Sequence, residues 1–428
     1  MQVTIIGALF FGVSVIFCFK KIEYISVLTI IATIFHSTSF IWIGESRITL
    51  FEICSLFLII KFLFSFKKIS FDSIDKLLLL FLVLVWTGTV ISSFVFSGMI
   101  IDNFHAINKI IYHDDYRRIA LTGSTVIALL RLSLKILLFF IIRTVFRRCE
   151  NREKYMSIVI KFSLFVVLSF GLFQYVDSLK LFDFRWLITL VHDSRLVPGD
   201  AYYSGYDKLF SIFREPSYCG PWLNAFFWAL VISKHKLFKN NFVIILIFIE
   251  LVLTVSSTAV VSFVAMQVVY AREIGVNKNS LIRILLFISL LVLCLLSFDI
   301  FNRNLSEVIS KLSSTSGIER VEKIRYCYEL FLASYLFGVG FHQVESMSLF
   351  SGLLAQVGIV GSLVFCYAMF KIIRTRSYNS VSKLSNVFIL SIVISTELSC
   401  PGLLYVDTFW FGLYLWALCV HRDSLLIS

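Results

Sequence analysis

Apolar runs that no soluble core can absorb recur along the whole chain. Residues 77–95 and 281–298 are each long enough to cross about 30 Å of hydrocarbon as a helix. Further runs lie near residues 2–19, 24–43, 48–66, 121–142, 155–178, 217–233, 242–271, 347–370 and 384–420. Hydrophobic residues make up 58% of the 428, only four are proline, and the mean hydropathy of +0.89 is far outside the soluble range. Backbone polar groups in lipid must be satisfied within the chain, and runs of this length do that as helices. The expectation is an all-α, polytopic integral membrane protein with residues 1–428 as one membrane domain.

Two of the runs exceed a single crossing. Residues 242–271 would reach about 45 Å as one helix. Lys234, Lys236 and Lys239 precede that run and Arg272, Lys278 and Arg283 follow it, so both ends belong on one side. The run then reads as a hairpin of two short helices turning near residues 254–258. Residues 384–420, between Lys383 and Arg422 with Pro401-Gly402 as a breaker, read the same way. The total is about twelve or thirteen crossings, twelve if one short helix is re-entrant.

Charge sets the orientation. The net charge of +12 comes from Lys and Arg in short clusters between apolar runs, which does not suit a nucleic-acid face. The clusters at Lys20-Lys21, Lys67-Lys68-Lys76, Arg147-Arg148-Arg152-Lys154 and Arg374-Arg376 alternate with loops poor in basic residues. By the positive-inside rule the clusters are cytoplasmic. The loops at 179–215 and 301–346, and the shorter one at 100–120, then fall on the outer side. Nine cysteines stand singly, without the spacing of a disulfide framework or a metal site. Met1-Gln2-Val3 lacks a basic leader, so the first run reads as a retained span.

The two long outer loops hold most of the polar chemistry. In the first, residues 181–191 are apolar and aromatic with single charges, as suits a helix at the interface. Arg195 follows, and the loop ends at Arg214-Glu215-Pro216. Pro216 marks a helix start; a helix N-terminus beside Arg214 is also a ready anion site, and Glu215 sits where an outer-leaflet headgroup would meet it. In the second, Ile318, Val321, Tyr328, Leu332 and Tyr335 share one face of an amphipathic surface helix. Arg320 and Arg325 are candidate ligand-binding cations there. For Arg325 the plainer alternative is an intrahelical pair with Glu322 or Glu329. Gly338 and Gly340 read as a helix cap and turn, placing His342 where a proton-transfer group can be held. Arg131 and Lys135 lie mid-span on one helical face, so each needs a partner, a cavity or an anionic headgroup. Glu250 and Glu397 are the intramembrane acids at hand.

The order of these parts resembles the O-antigen polymerases of the Wzy type and, more distantly, the O-antigen ligases. The residues that carry the resemblance are 213–218 entering a span, the hairpin turn 253–258, the segment 335–342, and the run 353–361 after it. The chain departs from the family pattern in having Ser257-Thr258 where members often have Ser-Arg. Gly205 also follows Arg195 one residue too early for the Arg-x10-Gly loop motif.

The resemblance implies a GT-C-like helical fold and an inverting glycosyltransferase of the bacterial inner membrane, with its active face periplasmic. The donor would be a glycan on undecaprenyl diphosphate, moved onto a sugar hydroxyl of the next lipid-linked repeat unit. A chain-length regulator and a flippase of the same pathway are the expected partners, besides membrane lipid. Glu215 or His342 would be the base; Arg214, Arg195, Arg320, Arg325 and Arg131 would hold the diphosphate. The activated lipid makes a cofactor or metal unnecessary, and the sequence has no Walker motif, no Asp-x-Asp and no His/Cys cluster. The alternatives are a ligase joining finished glycan to lipid A core and, in a different class, a lipid-linked-oligosaccharide flippase. No internal repeat favours the latter.

The topology is testable by reporter fusions. Alkaline phosphatase joined after residue 120 or 346 should be active, and after residue 150 or 236 inactive; the reverse pattern would invert the orientation.

Overall fold

The computed structural model describes residues 4–35, 37–43, 46–65, 69, 71–107, 110–184, 186–187, 191, 209–213, 215–233, 241–254, 256–273, 315–375, 380–399 and 407–419. The expected span at 281–300, most of the first long loop and the Pro401-Gly402 breaker lie outside these residues. Thirteen helices and two β-hairpins are present among the described residues. Five helices are long and apolar enough to cross a membrane. This is a helical, membrane-embedded protein. Large apolar side chains such as Phe94 and Leu363 stay exposed on its outer faces, as they would against lipid.

The chain begins with α1 (Ile5–Cys18) and α2 (Ile22–Ala32). The expected span 24–43 is corrected here, because its second half leaves the helix. Beyond Ala32 the run Ser37-Thr38-Ser39 offers hydroxyls that compete with helical bonding. The β-favouring Phe40-Ile41-Trp42-Ile43 then pairs as β1 (Ser39–Ile43) with β2 (Ser46–Thr49). Helix α3 (Leu50–Ser65) follows directly, and its start is a capping box. The Thr49 N–H donates to Glu52 Oε2 at 2.8 Å and the Glu52 N–H to Thr49 Oγ1 at 3.2 Å.

Helices α4 (Ser73–Val95) and α5 (Gly123–Arg147) are joined by a second hairpin, β3 (Ile100–Ile107) with β4 (Ile110–Arg118). The purely α expectation is therefore also corrected at residues 100–118, where the ladder satisfies the backbone. At one end the two helices are locked by charge. Arg143 is buried and donates through Nη1 to Asp75 at 2.6 Å and to Asp72 at 2.9 Å. Arg147 Nη2 reaches the same carboxylates at 2.5 and 2.9 Å. Asp72 and Asp75 meanwhile form the capping box of α4, and the Arg143 guanidinium lies 5.0 Å from the Trp416 ring. Each charge has several partners, which offsets its desolvation.

The rest of the bundle is α6 (Arg152–Ser178), α7 (Pro216–Ser233), α8 (Asn241–Leu253), α9 (Ser257–Glu273), α10 (Thr315–Ala333), α11 (Leu349–Arg374), α12 (Ser380–Ser399) and α13 (Asp407–Cys419). Helices α8 and α9 form the expected tight hairpin. Ser256 caps α9, its hydroxyl accepting from the Ala259 N–H. Helix α7 packs against α8, α9 and α12, and α11 against α4, α10 and α12. An aromatic knot of Trp222, Phe226, Phe388 and Phe411 fixes α7, α12 and α13 together.

Arg143→Met leaves the buried Asp75 and the partly buried Asp72 around a single remaining arginine. A loss of about 3–5 kcal/mol is expected, read as a lower unfolding midpoint in detergent. Adding Asp75→Asn should return part of it; an unchanged midpoint for Arg143→Met would contradict the clamp.

Candidate functional site: a turn seated in a broken helix

The segment after α10 is unusual in its backbone. Of the eight residues from Tyr335 to His342, five have positive φ: Tyr335, Leu336, Gly338, Gly340 and His342. Three of these carry side chains, and such strain persists only where the surroundings impose it. The cause is a break in α11 at Gly358, whose φ of 69° and ψ of −174° end one helical stretch and begin another.

At the break the turn supplies the missing bonds. Val339 N–H donates to Ala355 O at 2.7 Å and Gly340 N–H to Gln356 O at 3.1 Å, while Ile359 N–H donates to Leu336 O at 3.0 Å. The turn thus exchanges hydrogen bonds with an interrupted membrane helix, the arrangement lipid permits for irregular backbone. The approach leaves no room for side chains. A Cβ on Gly358 would stand 2.3 Å from Phe337 O, and one on Gly338 would stand 2.6 Å from Gly358 N.

Helices α4 and α5 hold the turn from the other side. Ser92 Oγ donates to Gly338 O at 2.8 Å, and Phe341 N–H donates to Thr89 Oγ1 at 2.9 Å. Gln343 Nε2 donates to Ala120 O at 2.8 Å and to Thr125 Oγ1 at 3.3 Å, against the N-terminus of α5. Gln356 spans the loop, its amide donating to Val344 O at 2.8 Å and its oxygen accepting from the His342 N–H at 3.4 Å. His342 therefore sits on rigid backbone at the start of a span.

Its electrostatic setting is mixed. The imidazole keeps a solvent-facing edge, yet partial burial lowers its pKa from the ordinary 6.5; the charge of Glu345 opposes that shift, and those of Arg117 and Arg131 add to it. The neutral form, which accepts a proton, is favoured. Arg131 is anchored by Nε to Glu52 Oε1 at 2.8 Å and by Nη2 to Arg47 O at 3.0 Å. Its side chain remains 39% exposed, with further N–H groups to offer. The N-terminal dipole of α5 adds positive potential beside the turn. The N-terminus of α11, by contrast, is already occupied, because Glu397 accepts from Ser348 Oγ at 2.8 Å and Phe350 N–H at 2.9 Å.

The other sequence-chosen residues scatter. Glu215 is exposed at the mouth of α7, where its carbonyl accepts from Tyr218 and Cys219 and Pro216 is the first helical residue. Among the described residues no hydrogen bond or ion pair joins its side chain to His342 or Arg131. Arg325 is 69% exposed and pairs with Glu329 at 3.0 Å and Glu322 at 3.9 Å, the intrahelical arrangement. Arg320 lies half-buried on α10. Arg214 and Arg195 fall outside the described residues. The face of Val321, Tyr328, Leu332 and Tyr335 does point outward, while Cys327 and Leu330 pack inward.

The partners of the mid-span cations differ from those expected. Arg131 takes Glu52, and Lys135 takes Asp407 at 2.8 Å, whereas Glu250 and Glu397 serve neither. The capping box Thr49-x-x-Glu52 signals a helix start, but a pairing across 79 residues has no local signal. Arg117 also escaped, since it lies on a hairpin the apolar pattern does not announce. Comparison with protein-family models and with curated proteins gives no match to this chain.

Gly358→Ala should drive the turn out of the break and lower the unfolding midpoint sharply, whereas Gly88→Ala, with nothing near its missing Cβ, should be neutral or slightly stabilising. Equal effects from the two changes would refute the exchange of bonds at Gly358.

Proposed function

We propose that this protein is a repeat-unit polymerase of bacterial surface polysaccharide. It is an inverting glycosyltransferase that moves a glycan from undecaprenyl diphosphate onto a hydroxyl of the next lipid-linked repeat unit at the periplasmic face of the inner membrane, within a GT-C-like fold. The observation that carries the reading is the His342 turn before α11, within electrostatic reach of Arg117 and Arg131. A lipid diphosphate is an anion tethered at the headgroup level, and Arg131, Arg117 and the α5 N-terminus supply positive potential there.

The chemistry follows from the residues. The acceptor hydroxyl attacks the anomeric carbon as the bond to the diphosphate oxygen breaks, and its proton passes to a base. His342, held neutral by its surroundings, fits that role. Arg131, kept in place by Glu52, stabilises charge gathering on the leaving diphosphate. Glu215, at the separate mouth of α7, is the second candidate base, and Arg320 and Arg325 are flanking cations for the glycan.

The orientation has support as well. Thr89 and Ser92, which grip the turn, lie near the end of α4 opposite Asp72 and Asp75, about 25 Å along the helix. The Asp72/Asp75 end is the one beside Lys67, Lys68, Lys76 and the Arg147 cluster, the cytoplasmic end by the positive-inside rule.

Deletion should leave lipopolysaccharide carrying single repeat units on core. Loss of every repeat would instead mark a ligase, and unchanged banding would remove both readings. His342→Ala and Arg131→Gln at normal membrane levels should shorten or abolish long chains.

The pH dependence has a definite sign. His342 gains its proton only below its ordinary 6.5, so polymerisation should hold at neutral pH and fall on acidification through that lowered value. Persistence of the same acid limb in a partly active His342→Gln protein would exclude His342 as base.

A further inference from the structure

Among the described residues one buried carboxyl is engaged by neither a hydrogen bond nor an ion pair. Glu250, in the last turn of α8, is 2% exposed, and neither carboxyl oxygen has a hydrogen-bond partner. It lies flat against α6 at Gly171, where a Cβ would come within 2.5 Å of Oε2. The glycine creates the space the carboxyl fills, and among the described residues no counter-ion enters it. Helices α6 and α7 are packed on α8. From α7 the thiol of Cys219 is the titratable group that couples to Glu250, and α6 brings glycine and an amide; no charged group of the described residues acts on the carboxyl.

An ionised, unpartnered carboxylate in this position would cost several kcal/mol. The neutral acid is the form that fits.

A second observation extends the site along α6. Gln174, one turn beyond Gly171, is 2% exposed with Nε2 unpaired, and Asp177, one turn further, is 8% exposed with Oδ2 unpaired. Buried polar atoms are ordinarily satisfied, so three unpaired groups at successive turns form a file from Glu250 to the end of α6. Asp177 Oδ1 accepts from the Phe184 N–H in the following loop. The file also holds the approach to α7: Gln174 Oε1 accepts from Phe210 and Ser211 N–H at 3.0 and 2.9 Å, and Leu209 N–H donates to Leu253 O at 3.0 Å.

We propose that Glu250 is a proton-binding site within the membrane, reached from the loop after α6 along Gln174 and Asp177. Uptake neutralises the carboxyl and lets α6 and α8 close at Gly171; release puts an uncompensated charge at that contact. The segment 209–213 is bonded to both the file and α8, so the change reaches the mouth of α7. The site does not depend on which reaction the protein performs.

A membrane-soluble carbodiimide tests this on the full chain in its native membrane. The reagent adds the O–H of a protonated carboxyl across one C=N bond, and the O-acylurea rearranges to a stable N-acylurea with no leaving group. Peptide mass spectrometry should find one intact reagent on Glu250, in a yield that declines as pH rises. Gln174→Leu should slow the labelling. Glu250→Gln, which mimics the neutral acid, should abolish it and keep the wild-type unfolding midpoint. An unlabelled Glu250 in the folded wild-type protein, or labelling indifferent to pH, overturns the proposal. Unaltered kinetics in Gln174→Leu overturns the file.

Discussion

A membrane helix cannot be interrupted without giving its freed carbonyls and amides new partners, and the break at Gly358 obeys that constraint through one turn. Val339, Gly340 and Leu336 take over bonds that α11 surrenders at Ala355, Gln356 and Ile359. The positive φ of Tyr335, Leu336 and His342 follows from this exchange. So does the small-residue requirement at Gly338 and Gly358, where two backbones approach too closely for a Cβ. The turn that carries His342 is held by backbone of α11 and by the Thr89 and Ser92 hydroxyls of α4, which gives constant geometry of the kind a proton-transfer group needs.

Helices α4 and α5 connect that turn to the opposite end of the molecule. Their far ends are bound by Asp72 and Asp75 with Arg143 and Arg147, and their near ends grip the turn through Thr89, Ser92, Ala120 and Thr125. Arg131 lies between, on α5, with Glu52 of α3 fixing its guanidinium. One antiparallel helix pair thereby sets the position of both the cation and the histidine.

Much of the fold was legible in the sequence, for a physical reason. Apolar length determines a span, so α3 to α7, α11 and the α8–α9 hairpin fell where the runs predicted. The β-hairpins did not, because Phe40 to Ile43 is as apolar as a span and hydropathy alone cannot tell strand from helix. The turn glycines and His342 were visible as punctuation in the pattern. The pairing of Arg131 with Glu52 and the neighbourhood of Arg117 were not, since tertiary packing creates them from distant segments. Glu250 was seen only as a possible counter-ion; its isolation needed Gly171 on a helix far away in sequence.

The central claim is that a lipid-linked diphosphate and an acceptor hydroxyl meet at the His342 turn. Its most direct test is reconstitution of the purified protein in vesicles with an undecaprenyl-diphosphate-linked repeat unit as the sole substrate. Elongation into a ladder of lipid-linked oligomers, lost in His342→Ala and in Arg131→Gln proteins that retain their unfolding midpoints, is the predicted result. A ladder of undiminished length from both variants would contradict the account.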